Sequence, residues 1–416
     1  MDNQTTLSVK QYLLKRNDNE VAIQWSPPAP DTQIIIVIPS YAEENLFHTL
    51  TAITNASKPQ CNVEIITILN ASEEASIENK QLNENQYNKG IKWAEKQNKD
   101  YLKFYFLLKN NIPPKHAGVG YARKTGMDIA LQRFLQVKTD GLIVCLDADS
   151  LCDENYLTEL EIIARNPKIN AFSIYFEHPI EGNDFDEKIY QSVISYELHL
   201  RYYKNALKFA RHPLAIYTVG SSMGVRASVY AKQGGMNKRK AGEDFYFLNK
   251  VAALGGFHEL NTTRVIPSPR ISKRVPFGTG KAIADLIKTD STTYYTYDFQ
   301  SFIDLKKFFE IMEKSYRKKP EKCFPEVPKS IQNFITLPKF TSKMSEINRH
   351  SASPATFQKR FYTWWNPFTV MKYLHFARDR FYPNQPVLNE VMKLTNQSFG
   401  SEKDALIYLR NKDKVN

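Results

Sequence analysis

No run of about 18 consecutive apolar residues occurs in this 416-residue chain, which argues against a transmembrane helix. The first thirty residues, MDNQTTLSVKQYLLKRNDNEVAIQWSPPAP, lack the apolar centre of a secretion signal, so export is not expected. Cysteine is scarce: Cys61, Cys145, Cys152 and Cys323 are the four, and none makes a C-x-x-C pair. That spacing excludes the common zinc and dithiol motifs. It suits a reducing cytoplasm, with the inner face of a membrane as a peripheral alternative. No RNA- or DNA-reading motif, internal repeat or low-complexity block is present, so nucleic acid is not an expected partner. Acidic side chains are the minority, 44 against 56 basic ones, for a net charge of +12. Such an excess favours anionic partners: nucleotides, phosphorylated lipids or a membrane surface. The remainder, 42% hydrophobic and 24% charged, is ordinary globular composition with enough apolar residues for a sizeable core.

What is present is an alternation of short apolar runs and helical patterns. QIIIVI at 33–38 is a β-branched run of the kind buried in parallel sheets. After the Pro39 turn, Leu46, Leu50 and Ile53 recur at helical spacing. NVEIITILNAS and YLKFYFLLK read as further strands, separated by a polar Asn/Lys-rich stretch, 76–100, expected as an exposed helix and loop. GYARKTGMDIALQRFL places Ala122, Met127, Ala130, Leu131 and Phe134 on one helical stripe. GLIVCLDADS is a strand, DENYLTELEIIARN a helix, and INAFSIYFE a strand again. This alternation predicts a parallel sheet covered by helices. Ligands then bind beyond the carboxyl ends of the strands, where Pro39–Glu44, Asn70–Ser72 and Asp147–Ser150 should gather.

Four stretches carry candidate chemistry. Asp147 and Asp149 leave the strand 142–146 one residue apart. Such a D-x-D can turn two hard oxygen ligands toward Mg²⁺ or Mn²⁺, or Asp149 and Ser150 can simply cap the next helix. Glu243 and Asp244 open an apolar helix, where an acid either complements the helix dipole or serves as a base toward a hydroxyl. HAGVGYARKTG puts glycines, Arg123 and Lys124 at a helix start, suited to an anion or to a plain turn. YTVGSSMGVRASVYAKQGGM, at 217–236, combines small residues, Arg226 and a Gly234–Gly235 turn, and leads into the two acids.

The order of these segments resembles a family 2 glycosyltransferase with the nucleotide-sugar-binding GT-A fold. The matching pieces are IVIPSYAEENLFHTL, ITILNAS, GVGYARKTGMDIA, LDADS, GSSMGVRASVYAKQGGM and AGEDFYFL, spread over 34–250. The resemblance implies an α/β, Rossmann-like, mostly parallel sheet flanked by helices over 31–284. An N-terminal extension, 1–30, would precede it, and a mainly helical appendage, 285–416, would follow. It further implies a nucleoside-diphosphate sugar as donor and Mg²⁺ or Mn²⁺ as cofactor. Pro39, Tyr41 and Glu43 would line the nucleoside pocket. Asn70 and Ser72 stand where the family often has an acid facing uracil, which leaves the base open. Arg123 would lie near the diphosphate or sugar. Asp147 would approach ribose and metal, and Asp149 would hold the metal. Gly220 to Met223 and Gly234–Gly235 would border donor sugar and acceptor. Asp244 would be the base, with Glu243 second.

By the same resemblance, the segment of Arg270, Lys273 and Arg274 in SPRISKRVPFGTGKA would fold over the diphosphate; the alternative is a solvated basic loop. His258 is a candidate third metal ligand or a structural histidine. The stretch 356–380 sets Phe357, Phe361, Trp364 and Trp365 beside Lys359, Arg360 and Lys372, which suits peripheral membrane contact or internal packing. The resulting expectation is a metal-dependent, inverting transferase acting on a hydroxyl acceptor: a saccharide, a lipid-linked sugar or a small molecule. A sugar-phosphate nucleotidyltransferase is the rival on a similar scaffold, but PSYAEEN lacks the glycines its phosphate loop would need. A non-catalytic nucleotide- or glycan-binding module is the other.

Overall fold

The structure, a computed structural model, describes residues 1–15, 25–272, 278–289 and 293–415. The chain forms two compact units. The first comprises Met1–Gly182, Thr218–Lys281 and Asp413–Asn416; the second comprises Asn183–Tyr217 and Ala282–Lys412. The helical region expected from residue 285 therefore takes in a contiguous piece from the middle of the chain, 183–217, as well.

In chain order the elements that matter to the site are α1 (Asn3–Leu14), β1 (Thr32–Ser40), α2 (Leu46–Asn55), β2 (Asn62–Ser72), α3 (Ile77–Gln97) and β3 (Leu102–Ile112). They continue with α4 (Val119–Gln136), β4 (Leu142–Cys145), β5 (Leu151–Cys152), α5 (Tyr156–Arg165), β6 (Ala171–Phe176) and α6 (Glu187–Phe209). β7 (Met223–Arg226), α7 (Ala227–Lys232), α8 (Glu243–Ala252) and β8 (Phe257–Ile266) follow. All but α6 belong to the first unit.

The eight strands form one sheet in the order β3-β2-β1-β4-β7-β6-β8-β5. β1, β2, β3 and β4 pair in parallel, as do β6 and β8. β7 is antiparallel to both β4 and β6, so those two neighbours point the same way, and β5 runs against β8. The sheet is thus mostly parallel, as expected, with two strands reversed. Ile34 to Ile38 are wholly buried, which is what a β-branched run achieves when helices cover both faces of the sheet. Gly126 lets α4 close on β1, because a Cβ there would meet the Val37 side chain at 2.3 Å.

Three of the carboxyl-terminal ends then lie on a common rim: Ser40 of β1, Cys145 of β4 and Phe176 of β6. β8 also ends there, since Val265 pairs with Phe176. β8 begins at the opposite end, where His258 pairs with Phe172 and is exposed. Sheet polarity therefore removes His258 from the rim that carries Asp149, and the metal-ligand expectation for it is withdrawn.

The second unit is helical apart from a two-stranded ribbon of Tyr295–Thr296 and Gln385–Pro386. Its core is aromatic: Phe302, Phe308, Phe309, Phe361, Trp365 and Tyr373 are at most 2% exposed. Phe357, too, is buried. Three of the four aromatics from the 356–380 stretch are therefore core residues, and they present no membrane-facing stripe. Among the described residues no helix is long and apolar enough to cross a membrane.

Candidate active site

The rim is assembled from loops that leave the sheet at different places in the chain. The β1 exit turns sharply at Ala42, whose φ is +45°, a left-handed conformation unusual for a residue with a side chain. Asn83 of α3 supports that turn: its Oδ1 accepts the Ala42 amide at 2.9 Å while its Nδ2 donates to the Asn70 carbonyl at 3.2 Å. Nδ2 also reaches Asn110 Oδ1 at 3.1 Å. Gln86 Nε2 donates to the Glu43 carbonyl. A buried amide layer therefore fixes the ends of β1, β2 and β3 relative to one another.

On this layer sit the residues expected at a nucleoside pocket. Tyr41 is half-buried, and its hydroxyl accepts from Asn79 Nδ2 at 3.1 Å. Asn70 is buried, with its Nδ2 at 3.4 Å from the Gly118 carbonyl. Ser72 is half-buried, its hydroxyl accepting from the Glu74 amide at 3.2 Å. Pro39 lies inside the β1 ladder opposite Ile68 and is buried, so Tyr41 rather than Pro39 offers a surface here.

The acids of the rim are organised by two arginines. Arg123, from the second turn of α4, donates Nη2 to Asp147 Oδ1 at 2.5 Å and Nη1 to Glu243 Oε1. Both Arg123 and Glu243 are nearly inaccessible, 4% and 1% exposed. Gly220 makes this possible, since a Cβ there would lie 2.2 Å from Arg123 Nη1. Arg270 forms the second bridge, with Nε donating to Asp149 Oδ2 and Nη2 to Glu43 Oε2, each at 2.6 Å. The D-x-D pair is thereby split, one aspartate tied to the helix start at 243 and the other to the β1 exit.

Charge and burial act on these groups in opposite senses. Burial works against the Arg123 cation, yet Asp147, Glu243 and Asp244 outweigh it and hold the proton more tightly than usual. Burial raises the Asp149 carboxyl, with Arg270 pulling the other way. Asp244 is pushed up to about 6, first by burial and then by its neighbour Glu243, against the pull of Arg123. Its Oδ1 accepts the Phe245 amide at 2.7 Å. Glu243 is thus held in a buried ion pair with Arg123, and Asp244 beside it carries the raised carboxyl.

Several expectations are redirected. Arg123 does not extend a free guanidinium toward a phosphate; it is an internal bridge between acids from two segments. Arg226 is a structural bolt, donating to the carbonyls of Asp140, Ile163, Ala164, Ile169 and Asn166. Gly234 and Gly235 close α7 with φ of +78° and +70°, a helix-ending turn that explains both glycines without a ligand. Lys273 and Arg274 lie outside the described residues. Asn83 and Gln86 were not anticipated, because they sit in a stretch whose polarity predicts exposure.

Among the described residues no three His, Cys, Asp or Glu side chains are grouped to hold a metal on their own. Asp147 and Asp149 nonetheless offer hard oxygen ligands on one turn. That fits a partial shell for Mg²⁺ or Mn²⁺, ions that commonly complete their coordination with water and substrate phosphates.

No known protein family's profile matches the chain, and no curated protein matches it in sequence. Among solved structures, it is similar to residues 1–349 of S. aureus TarS in complex with UDP-GlcNAc, at 11% identity and a TM-score of 0.38, covering 79% of this chain and 89% of that one. It is also similar to the mannosyltransferase PcManGT from Pyrobaculum calidifontis in complex with GDP-Man and Mn²⁺, at 14% identity and a TM-score of 0.36, covering 91% and 93%. Similarity at this level decides neither chemistry nor ligand.

Proposed function

We propose that this chain is a metal-dependent glycosyltransferase of the GT-A type, moving a sugar from a nucleoside diphosphate to a hydroxyl acceptor with inversion. The observation that carries the reading is the Arg123 bridge. It joins the D-x-D aspartate Asp147 to Glu243, and so sets the neighbouring Asp244 on the same rim as the D-x-D turn. A donor-binding turn and an acceptor-facing acid from segments far apart in the chain are what such a transfer needs together.

The roles follow from position. Tyr41, with Asn70 and Ser72 below it, would take the nucleoside, and Arg270 the diphosphate. Asp149 and Asp147 would hold Mg²⁺ or Mn²⁺, which when bound supplies positive charge against the leaving diphosphate. Asp244 would accept the acceptor's hydroxyl proton as that oxygen bonds to the anomeric carbon. The carbon–oxygen bond to the diphosphate breaks on the opposite face, and a single in-line displacement of this kind inverts the centre. Glu243, held by Arg123, would position this machinery.

A panel of UDP-, GDP- and dTDP-sugars with Mn²⁺ tests the reading by release of nucleoside diphosphate. Asp149→Ala is expected to abolish metal-dependent nucleotide binding. Asp244→Asn is expected to retain binding and lose transfer by a factor of about 10²–10⁴, the span typical of general-base removal. Normal transfer by Asp244→Asn would remove Asp244 from its role, and silence across the whole panel would count against the activity.

A further inference from the structure

Arg123 and Arg270 make the same kind of bridge but are held differently. Arg123 is 4% exposed and fills the space left by Gly220, so it is built into the framework. Arg270 keeps about a quarter of its side chain exposed, while its two partners are more enclosed, Asp149 at 18% and Glu43 at 5%. Its backbone is anchored independently of the guanidinium: the Ser272 amide donates to the Gly280 carbonyl at 3.2 Å. Gly280 packs tightly there, since a Cβ on it would approach the Arg270 carbonyl at 3.0 Å. The side chain can therefore leave its acids without the chain moving.

Two enclosed acids drawn this close need a positive charge between them. Arg270 supplies it, at the D-x-D aspartate that the proposed function gives to the metal. A monovalent guanidinium and a divalent cation cannot share Asp149 Oδ2 without close like-charge repulsion.

We infer that Arg270 is a resident counter-cation. It holds the place of the divalent ion beside Asp149 until metal and diphosphate arrive together, is then displaced, and pairs with the diphosphate. This rests on the reading of the rim as a metal and diphosphate site. Metal alone displaces Arg270 with nothing new for the guanidinium to bind. Metal with a diphosphate gives it a bidentate anionic partner. Metal and nucleotide therefore favour each other's binding through this side chain, and by linkage the effect is reciprocal.

The test measures Mn²⁺ binding to the nucleotide-free protein by electron paramagnetic resonance, and UDP and GDP binding with Mn²⁺ by calorimetry, in the wild type and in Arg270→Met. The expected result has opposite signs: Arg270→Met binds Mn²⁺ alone about tenfold more tightly and the nucleoside diphosphate about tenfold more weakly, within the usual span of coupling between sites. A misfolded variant cannot gain metal affinity, so the gain is diagnostic. Mn²⁺ affinity that is unchanged, weaker or absent in Arg270→Met overturns the inference. If the wild type binds Mn²⁺ at Asp149 but binds neither diphosphate, the donor-site reading fails, while the Mn²⁺ comparison still decides whether Arg270 competes with the ion.

Discussion

At the scale of single residues, the site depends on how buried charges are shared. Arg123 serves two acids at once, and it and Glu243 would each be costly to bury alone. Glu243→Gln removes one partner from a guanidinium that cannot reach water. The expected loss is on the order of 3 kcal/mol, read as a lower midpoint in denaturant unfolding. Asp244 carries the opposite signature. Its carboxyl is raised to about 6, so it is protonated in the folded protein at pH values where an exposed aspartate is already ionised. In its proposed role as base it must be ionised, so kcat/KM is expected to rise as pH passes upward through about 6 and to level off above. A pH–rate profile with no acid limb near that value would remove Asp244 as the titrating group. Neither property is legible in the pair Glu243–Asp244 itself, where the two neighbours look interchangeable. Arg123 breaks that symmetry.

At the scale of elements, α3 shows where periodicity misleads. Its stretch is polar, and polarity predicts an exposed helix. The buried face is nevertheless Asn83, Gln86, Gly90 and Ala94, spaced as one side of a helix. The amides are inside because main-chain groups at the ends of β1 and β2, and the Asn110 side chain of β3, need partners there, and Gly90 leaves room for Phe106, whose ring a Cβ would meet at 2.6 Å. Asn83→Ala removes the Oδ1 that accepts the Ala42 amide and loosens a left-handed turn. It is expected to cost about 1–3 kcal/mol and to weaken nucleotide binding more than it lowers the midpoint of unfolding would suggest. Equal proportional losses in both measurements would mean that Asn83 is only structural. The strands were more legible: β1, β2, β3, β4 and β6 follow apolar runs, and each expected span overlaps the observed one. β7 and β8 were not anticipated, since β7 is four residues long and β8 alternates weakly in a polar sequence.

At the scale of the whole molecule, the net charge of +12 bears on kinetics more than on fold. An anionic ligand approaching a chain of this charge is attracted over a distance that salt shortens. Association of UDP or GDP, followed by stopped flow, is expected to slow several-fold between 50 and 500 mM salt, on the scale of electrostatic steering. A rate independent of salt would mean that the acids of the rim cancel the global field. The division of the chain is a feature of the same scale. Residues 183–217 run on from β6 and return to β7, so the linear order gives them to the sheet unit. Tertiary contacts give them to the helical one. The aromatics at 357, 361 and 365 illustrate the same point: a stripe that could face a membrane is instead the core of that second unit.

Local order along the chain was enough to determine the alternation of strand and helix, the common rim of the strand ends, and the short polar stretches that collect on it. These follow from side-chain size, branching and period over a few residues. Which arginine meets which acid was decided only in three dimensions. Arg123 and Glu243 are 120 positions apart, Asp149 and Arg270 are 121, and Glu43 and Arg270 are 227. No period spans such gaps. Those pairs are selected by the energy of burying charge once the sheet has brought its strand ends to one rim.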